Sequence, residues 1–177
     1  MTGSGPGWLR VWPAWQRLLH AVLALAVLTA LLTHEGGRVH EFCGYAALAA
    51  ALLRVLLGLA GPGAARFSAF VRGLSTTRAY ARRVLDGTAE RHLNHNPLGG
   101  WMVLLLLALA GGAGATGALY VTDRFWGEAW VIGAHAWLAW PMVAAVPLHL
   151  AGVWHSSRAH GENLAAAMVH GRKRAGP

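Results

Sequence analysis

Four long apolar segments limit what this chain can fold into. They cover residues 14–33, 39–59, 101–121 and 129–154, and the last has no Asp, Glu, Lys or Arg in 26 residues. About 20 helical residues cross a hydrocarbon core roughly 30 Å thick, so each segment is long enough to span a membrane. Because lipid offers the backbone no hydrogen-bond partners, we expect each segment to be a helix.

The composition supports a membrane protein. Charged residues make up 12% of the 177 residues, about half of the roughly 25% that soluble domains carry. So few charges cannot cover a water-facing surface, which excludes most soluble enzymes and disordered regulators. The length suits a single domain over residues 1–177.

The basic residues indicate how the chain crosses the membrane. The formal net charge is +8, and twelve of the 15 Lys and Arg residues lie in the termini, at the inner end of the first segment or between the second and third segments. Lys and Arg are retained on the cytoplasmic side, so we expect both termini to be cytoplasmic. Nucleic-acid binding is not expected. Short outer connections then predict an all-α, up-down four-helix bundle. A signal peptide is the alternative interpretation of the first segment, but its length and its histidine argue against one.

The connection between the second and third segments has its own pattern. Phe67, Phe70, Val71 and Leu74 recur at helical spacing, and arginines flank them. This pattern predicts a cytoplasmic amphipathic helix that lies on anionic membrane lipid. A docking surface for a partner protein is the alternative.

Ten histidines are unusual in so apolar a chain, and they fall into two groups. Six lie in predicted cytoplasmic segments or at the outer end of the first span, and we interpret them as solvated or interfacial: His34, His92, His95, His155, His160 and His170. The other four lie within or at the ends of spans: His20, His40, His135 and His149. Ionisable side chains inside a bilayer are costly, so these four point to a function.

Spacing and depth arrange these four histidines in pairs. His135 and His149 are separated by two heptads, which places them on nearly one helix face, about 21 Å apart along the axis. In the predicted topology, His20 lies at the inner depth of His149, and His40 lies at the outer depth of His135. We therefore expect the pairs His20/His149 and His40/His135, with His34 in place of His40 as an open alternative.

Paired imidazoles suit a planar iron cofactor. Two imidazoles alone make a poor zinc or copper site, whereas two that face each other across a porphyrin complete the axial ligands of haem iron. The only cysteine is Cys43, so covalent attachment through Cys-x-x-Cys-His is excluded, and two noncovalent b haems are predicted. Gly44, one turn after His40, would let a porphyrin approach the backbone, although ordinary helix packing also explains this glycine.

Three arginines are candidates for binding the haem propionates. Arg17 precedes His20 by three residues, and Arg54 follows His40 by two heptads. Both are placed to serve the inner haem, and Arg38 to serve the outer one. The alternative for each is contact with lipid phosphate.

Six motifs in order resemble those of the bacterial cytochrome b561 family, which includes the b-type cytochrome subunits of nickel-iron hydrogenases. They are Val11-Trp12 with Arg17-Leu-Leu-His20, His40-Glu-Phe-Cys-Gly44-Tyr45, Arg54 to Pro62, His95-Asn-Pro-Leu-Gly-Gly100, His149-Leu-Ala-Gly152, and Glu162-Asn-Leu with Met168 to Arg174. The chain departs from the family pattern at Pro13, Ala21 and Leu57.

The resemblance implies haem b, electron transfer across a bacterial inner membrane, and contact with quinone or a redox partner. The partner would be a periplasmic cytochrome c or a dehydrogenase or hydrogenase subunit. A protein that itself oxidises superoxide and reduces quinone is an alternative within this class. A haem-free, histidine-lined carrier of protons or metal ions and a purely structural anchor are alternatives outside it.

Overall fold

A computed structural model describes residues 7–176. It has six α-helices and two short strands: β1 (Trp8–Arg10), α1 (Ala14–Leu32), α2 (Arg38–Ala60), α3 (Leu74–Leu85), α4 (Pro97–Tyr120), α5 (Ala129–Ala159), α6 (Leu164–His170) and β2 (Arg172–Arg174). Helices α1, α2, α4 and α5 are long and apolar enough to cross a membrane, so the prediction of an all-helical membrane bundle is confirmed. The predicted domain, 1–177, includes residues 1–6 and 177, which lie outside the described residues.

Helices α4 and α5 extend three or more residues beyond the predicted spans, whereas α1 and α2 agree with the prediction to within one residue at each end. Helix α4 starts at Pro97 because the side chain of Asn96 accepts a hydrogen bond from the Gly99 amide at 2.7 Å, and proline suits the first helical position. Helix α5 runs on to Ala159, beyond the predicted end at residue 154. Its last turns are polar and extend past the apolar segment.

The packing of the long helices is uneven. Helix α2 packs between α1 and α4, and α5 packs along α4; among the described helices, α5 is not packed closely against α1 or α2. Gly114 shows how tightly α2 and α4 meet, because a β-carbon there would lie 2.8 Å from the Leu48 β-carbon. The bundle is therefore tight along α4 and looser where α5 faces α1 and α2.

The connection between α2 and α4 differs from the prediction. Two 3₁₀ turns, Gly63–Ala65 and Phe67–Ala69, come first, and an α-helix begins only at Leu74. The prediction of an amphipathic helix that starts at Phe67 is therefore wrong, because the α-helix begins only at Leu74. Phe70 is 2% exposed and packs edge-on against Phe67. Burial of Phe70 and partial burial of Phe67 within the protein stabilise the turns in place of a lipid-facing helix.

The two ends of the described chain form an antiparallel ribbon that an all-helical prediction does not include. Strand β1 pairs with β2, with Leu9 opposite Lys173. Between α6 and β2, Gly171 has a φ of 80°, and its carbonyl accepts hydrogen bonds from the Val11 and Trp12 amides at 2.9 and 3.2 Å. A side chain at Gly171 would clash, since its β-carbon would lie 2.6 Å from the Trp12 carbonyl oxygen. Both ends thus lie at the same end of the bundle.

Candidate functional site

The four intramembrane histidines lie in two facing pairs. His20 on α1 faces His149 on α5, with ring centroids 6.5 Å apart. His40 on α2 faces His135 on α5, with ring centroids 6.0 Å apart. These are the pairs that depth and spacing predict. His34 is exposed, whereas His40 is the histidine opposite His135.

Hydrogen bonds orient both rings of the pair formed by His40 and His135. The Nδ1 atom of His40 lies 3.0 Å from the carbonyl oxygen of Ala30, and Nδ1 of His135 lies 2.9 Å from that of Ala113. A carbonyl oxygen only accepts, so each Nδ1 carries the proton and donates it. Nε2 of each ring then keeps its lone pair, which is the state in which imidazole binds a metal.

Bare metal binding is not supported around these pairs. Within residues 7–176, no group of three or more His, Cys, Asp or Glu side chains is placed to hold a metal ion. Each pair also bridges helices that are not packed closely, α1 with α5 and α2 with α5. A β-carbon added at Gly44 or Gly152 would meet no heavy atom within 4 Å. Two facing imidazoles beside open helix surface suit a flat cofactor that carries its own in-plane ligands.

Comparison with protein-family models identifies the chain. Residues 11–171 match the family described as prokaryotic cytochrome b561. The chain belongs to the prokaryotic cytochrome b561 family. Members of this family are b-type membrane cytochromes that bind haem b and take part in electron transfer, so this chain is a bacterial membrane cytochrome. Comparisons with curated proteins and with solved structures gave no match.

The histidine pairs fit the haem b of a cytochrome b561. A metal–imidazole nitrogen bond is about 2 Å long and the ring centroid lies about 1 Å further, so two imidazoles opposite each other have centroids roughly 6 Å apart. The separations of 6.5 and 6.0 Å both agree with this distance.

The three predicted propionate-binding arginines have different surroundings. Arg54 on α2 is 6% exposed, and its guanidinium lies over the rings of Phe67 and Phe70, 5.1 and 5.9 Å from their centroids. Arg17 on α1 donates through Nη1 to the carbonyl of Val169 on α6. Arg38 is exposed at the start of α2. Arg54 is thus the arginine buried within the cytochrome.

His95 has a more buried setting than the sequence suggested. Its ring packs against Phe70 and Trp12, with centroids 4.5 and 4.9 Å apart, and its Nδ1 is buried. Burial, and then the positive charge of Arg54, lower the pKa of His95 to about 3, so the ring is neutral at pH 7. The prediction of a solvated or interfacial side chain is wrong here. The sequence signal was its position directly before the Asn96-Pro97 helix start, which fixes His95 at the end of the bundle.

Proposed function

We propose that this protein is a dihaem cytochrome that transfers electrons across the membrane between a periplasmic redox partner and the quinone pool. The observation that carries the proposal is the presence of two facing histidine pairs on one helix, with His135 and His149 in α5 facing His40 and His20. Fourteen helical residues separate the two levels by about 21 Å, which distributes them across the bilayer.

In this proposal, His20 and His149 hold the inner haem, and His40 and His135 hold the outer one. Haem b, when bound, supplies a reversible one-electron iron couple. Two histidine ligands for each haem iron would leave no coordination position open to oxygen, which would favour electron transfer over oxygen activation. The chain fixes the imidazole orientations. Donation from His40 Nδ1 and His135 Nδ1 to backbone carbonyls prevents either ring from turning and makes Nε2 the more basic ligand atom.

We assign the propionates by charge and position. Arg54 is the proposed partner for the inner haem. Arg17 already donates through Nη1 to Val169, but its Nε is buried and has no partner within the described residues, so it can serve the same haem through that atom. Arg38 is the proposed partner for the outer haem. Gly44 lets the outer porphyrin approach α2, since no heavy atom lies within 4 Å of a β-carbon there.

We place both termini in the cytoplasm and the protein in the bacterial inner membrane. The distribution of Lys and Arg supports this orientation, and the pairing of β1 with β2 keeps the two ends together. The arginine-rich connection that contains α3 then faces the anionic inner leaflet, where it would bind membrane lipid.

Electron transfer by the purified protein in vesicles tests the proposed transfer across the membrane. Vesicles contain a trapped water-soluble acceptor, and a lipid-soluble quinol is added in the membrane. The proposal predicts that the b-haem bands are reduced by quinol and reoxidised by an acceptor on the opposite side from the quinol-oxidising site. A colourless protein that transports protons or metal ions would contradict it in favour of the haem-free carrier.

A further inference from the structure

The inner end of the bundle contains a cluster of buried polar atoms that the protein does not pair. Within residues 7–176, Nη1 and Nη2 of Arg54, Nδ1 of His95 and Oε1 of Gln16 are all buried and lack a hydrogen-bond partner. Arg54 and Gln16 are 6% and 5% exposed. An unpaired buried polar atom costs free energy, and an unpaired buried guanidinium costs more. Four such atoms together indicate a ligand.

These three side chains border the inner histidine pair. Gln16 lies one helical turn before His20 on α1. His95 packs against Phe70, and the guanidinium of Arg54 lies over the same ring. After burial, the charges of Arg54, Lys173, His149 and His20 lower the pKa of His95, which is consistent with these side chains lying near its ring. Arg54 and His95 therefore lie together around Phe70. Gln16 lies one turn from His20, which is a proposed ligand of the inner haem.

The chemistry of the cluster selects an anion with two oxygens. A guanidinium with both terminal nitrogens free matches the two oxygens of a carboxylate or a phosphate. The neutral His95 adds a donor at Nδ1 without adding charge. The Gln16 amide adds another once it turns so that its terminal nitrogen, in place of the unpaired Oε1, faces the anion. Glu162, a buried carboxylate at the same end of the bundle, is already bound by Arg91 and lies 3.8 Å from Lys173. The ligand of Arg54 is therefore expected to come from outside the polypeptide.

We propose that Arg54, His95 and Gln16 form one carboxylate-binding pocket that holds a propionate of the inner haem. This inference rests on the proposed function, and it adds His95 and Gln16 as positioning residues. The pocket sets the rotation of the porphyrin about the His20–His149 axis. It also explains why a charged side chain is retained inside a span.

The decisive experiment compares two cofactors that differ only in the carboxylates. Full-length protein produced without haem is titrated with iron protoporphyrin and with its dimethyl ester, and the dissociation constant of the inner site is measured by absorbance. For iron protoporphyrin, Arg54→Gln should raise that constant at least tenfold, and His95→Leu and Gln16→Leu should raise it several-fold. For the dimethyl ester, the same substitutions should change it less than twofold.

Matched controls separate the pocket from the fold and from lipid. Arg66→Gln and His155→Gln replace exposed side chains on the same side of the bundle and should leave both constants unchanged. Binding of haem at the outer site with the wild-type dissociation constant shows that each variant is folded. An equal effect of Arg54→Gln on both cofactors would overturn the proposal, because Arg54 would then bind lipid phosphate or support the fold. A wild-type protein without a second haem would instead refute the proposed function itself.

Discussion

The Nδ1 atom of His135 on α5 lies 2.9 Å from the carbonyl oxygen of Ala113 on α4. This bond joins the proposed outer haem site to α4 next to Gly114, where α2 and α4 pack closely. His40 is held in the same way by Ala30 on α1. The two rings are thus oriented from opposite sides, each by a backbone atom that a side-chain substitution does not remove. Such fixed ligands suit electron transfer, since the iron environment changes little between oxidation states.

A substitution at Gly117 tests the orientation of the His135 ring. A β-carbon at Gly117 would lie 3.3 Å from Cε1 and 3.4 Å from Nδ1 of this ring. We expect Gly117→Ala to shift the ring, and so to change the low-spin EPR signal and midpoint potential of the outer haem alone. Gly111→Ala is the control, because its β-carbon would make ordinary contact with Ala51 at 4.0 Å. Equal spectra for both variants and wild type would argue against His135 as a ligand.

Single histidine substitutions test the pairing. His149→Ala should remove the inner haem and leave the outer one, and His135→Ala should do the reverse. The pyridine haemochrome assay should then give half the wild-type haem for each variant. His155→Ala, an exposed residue on α5, should retain all of it. Loss of the same spectral component in both variants would show that His135 and His149 do not belong to separate sites.

A substitution at Glu162 tests the buried ion pairs that join the C-terminal segment to the bundle. Its carboxylate binds Arg91, and Lys173 lies 3.8 Å away, with side-chain exposures of only 9% and 5% for Glu162 and Lys173. Removing one member of a buried pair leaves an uncompensated charge, so Glu162→Gln should lower the free energy of unfolding by about 3 kcal/mol. The measurement is a denaturant titration in detergent followed by tryptophan fluorescence.

An exposed pair provides the control for Glu162. Glu90 binds Arg83 at 2.7 Å, but the two side chains are 68% and 40% exposed. Because surface ion pairs contribute about 0–1 kcal/mol, Glu90→Gln should have little effect. Similar losses for the two variants would show that the Glu162 network is not buried as described.

A substitution at Gly58 tests the packing of the Phe67 ring, over which the Arg54 guanidinium lies. A β-carbon at Gly58 would lie 2.2 Å from Cζ of Phe67, so Gly58→Ala must displace this ring from the guanidinium. We expect a loss of about 1–3 kcal/mol in unfolding free energy, measured by the same titration. Gly111→Ala, whose β-carbon would make only an ordinary contact with Ala51 at 4.0 Å, should be close to neutral. Tolerance of Gly58→Ala would contradict the described contact.

Sequence reasoning locates the long helices and the histidine pairs because these depend on simple quantities. The length of each apolar segment locates the four spans. The predicted depth of each histidine in the membrane limits which histidines can face each other. The register of the connection after α2 is harder, since the spacing of Phe67, Phe70 and Val71 is compatible with both an amphipathic helix and short turns. The Phe70 side chain is buried because it packs against residues from other segments, which local spacing does not reveal.

Long-range contacts account for what the sequence did not reveal. Strands β1 and β2 are separated by most of the chain and carry no alternating pattern, so nothing local predicts their pairing. His95 lies in a polar connection, and its burial depends on Trp12 and Phe70 from distant segments. The same holds for Gln16, a polar residue near the start of a span whose burial follows from its neighbours.

The haem content of the purified wild-type protein decides whether both histidine pairs bind haem. The pyridine haemochrome assay, combined with quantitative amino-acid analysis, gives the number of b haems per chain, and a potentiometric titration resolves them. The account predicts two b haems with separate midpoint potentials. A single haem per chain, or none, in protein with all four histidines intact would contradict it.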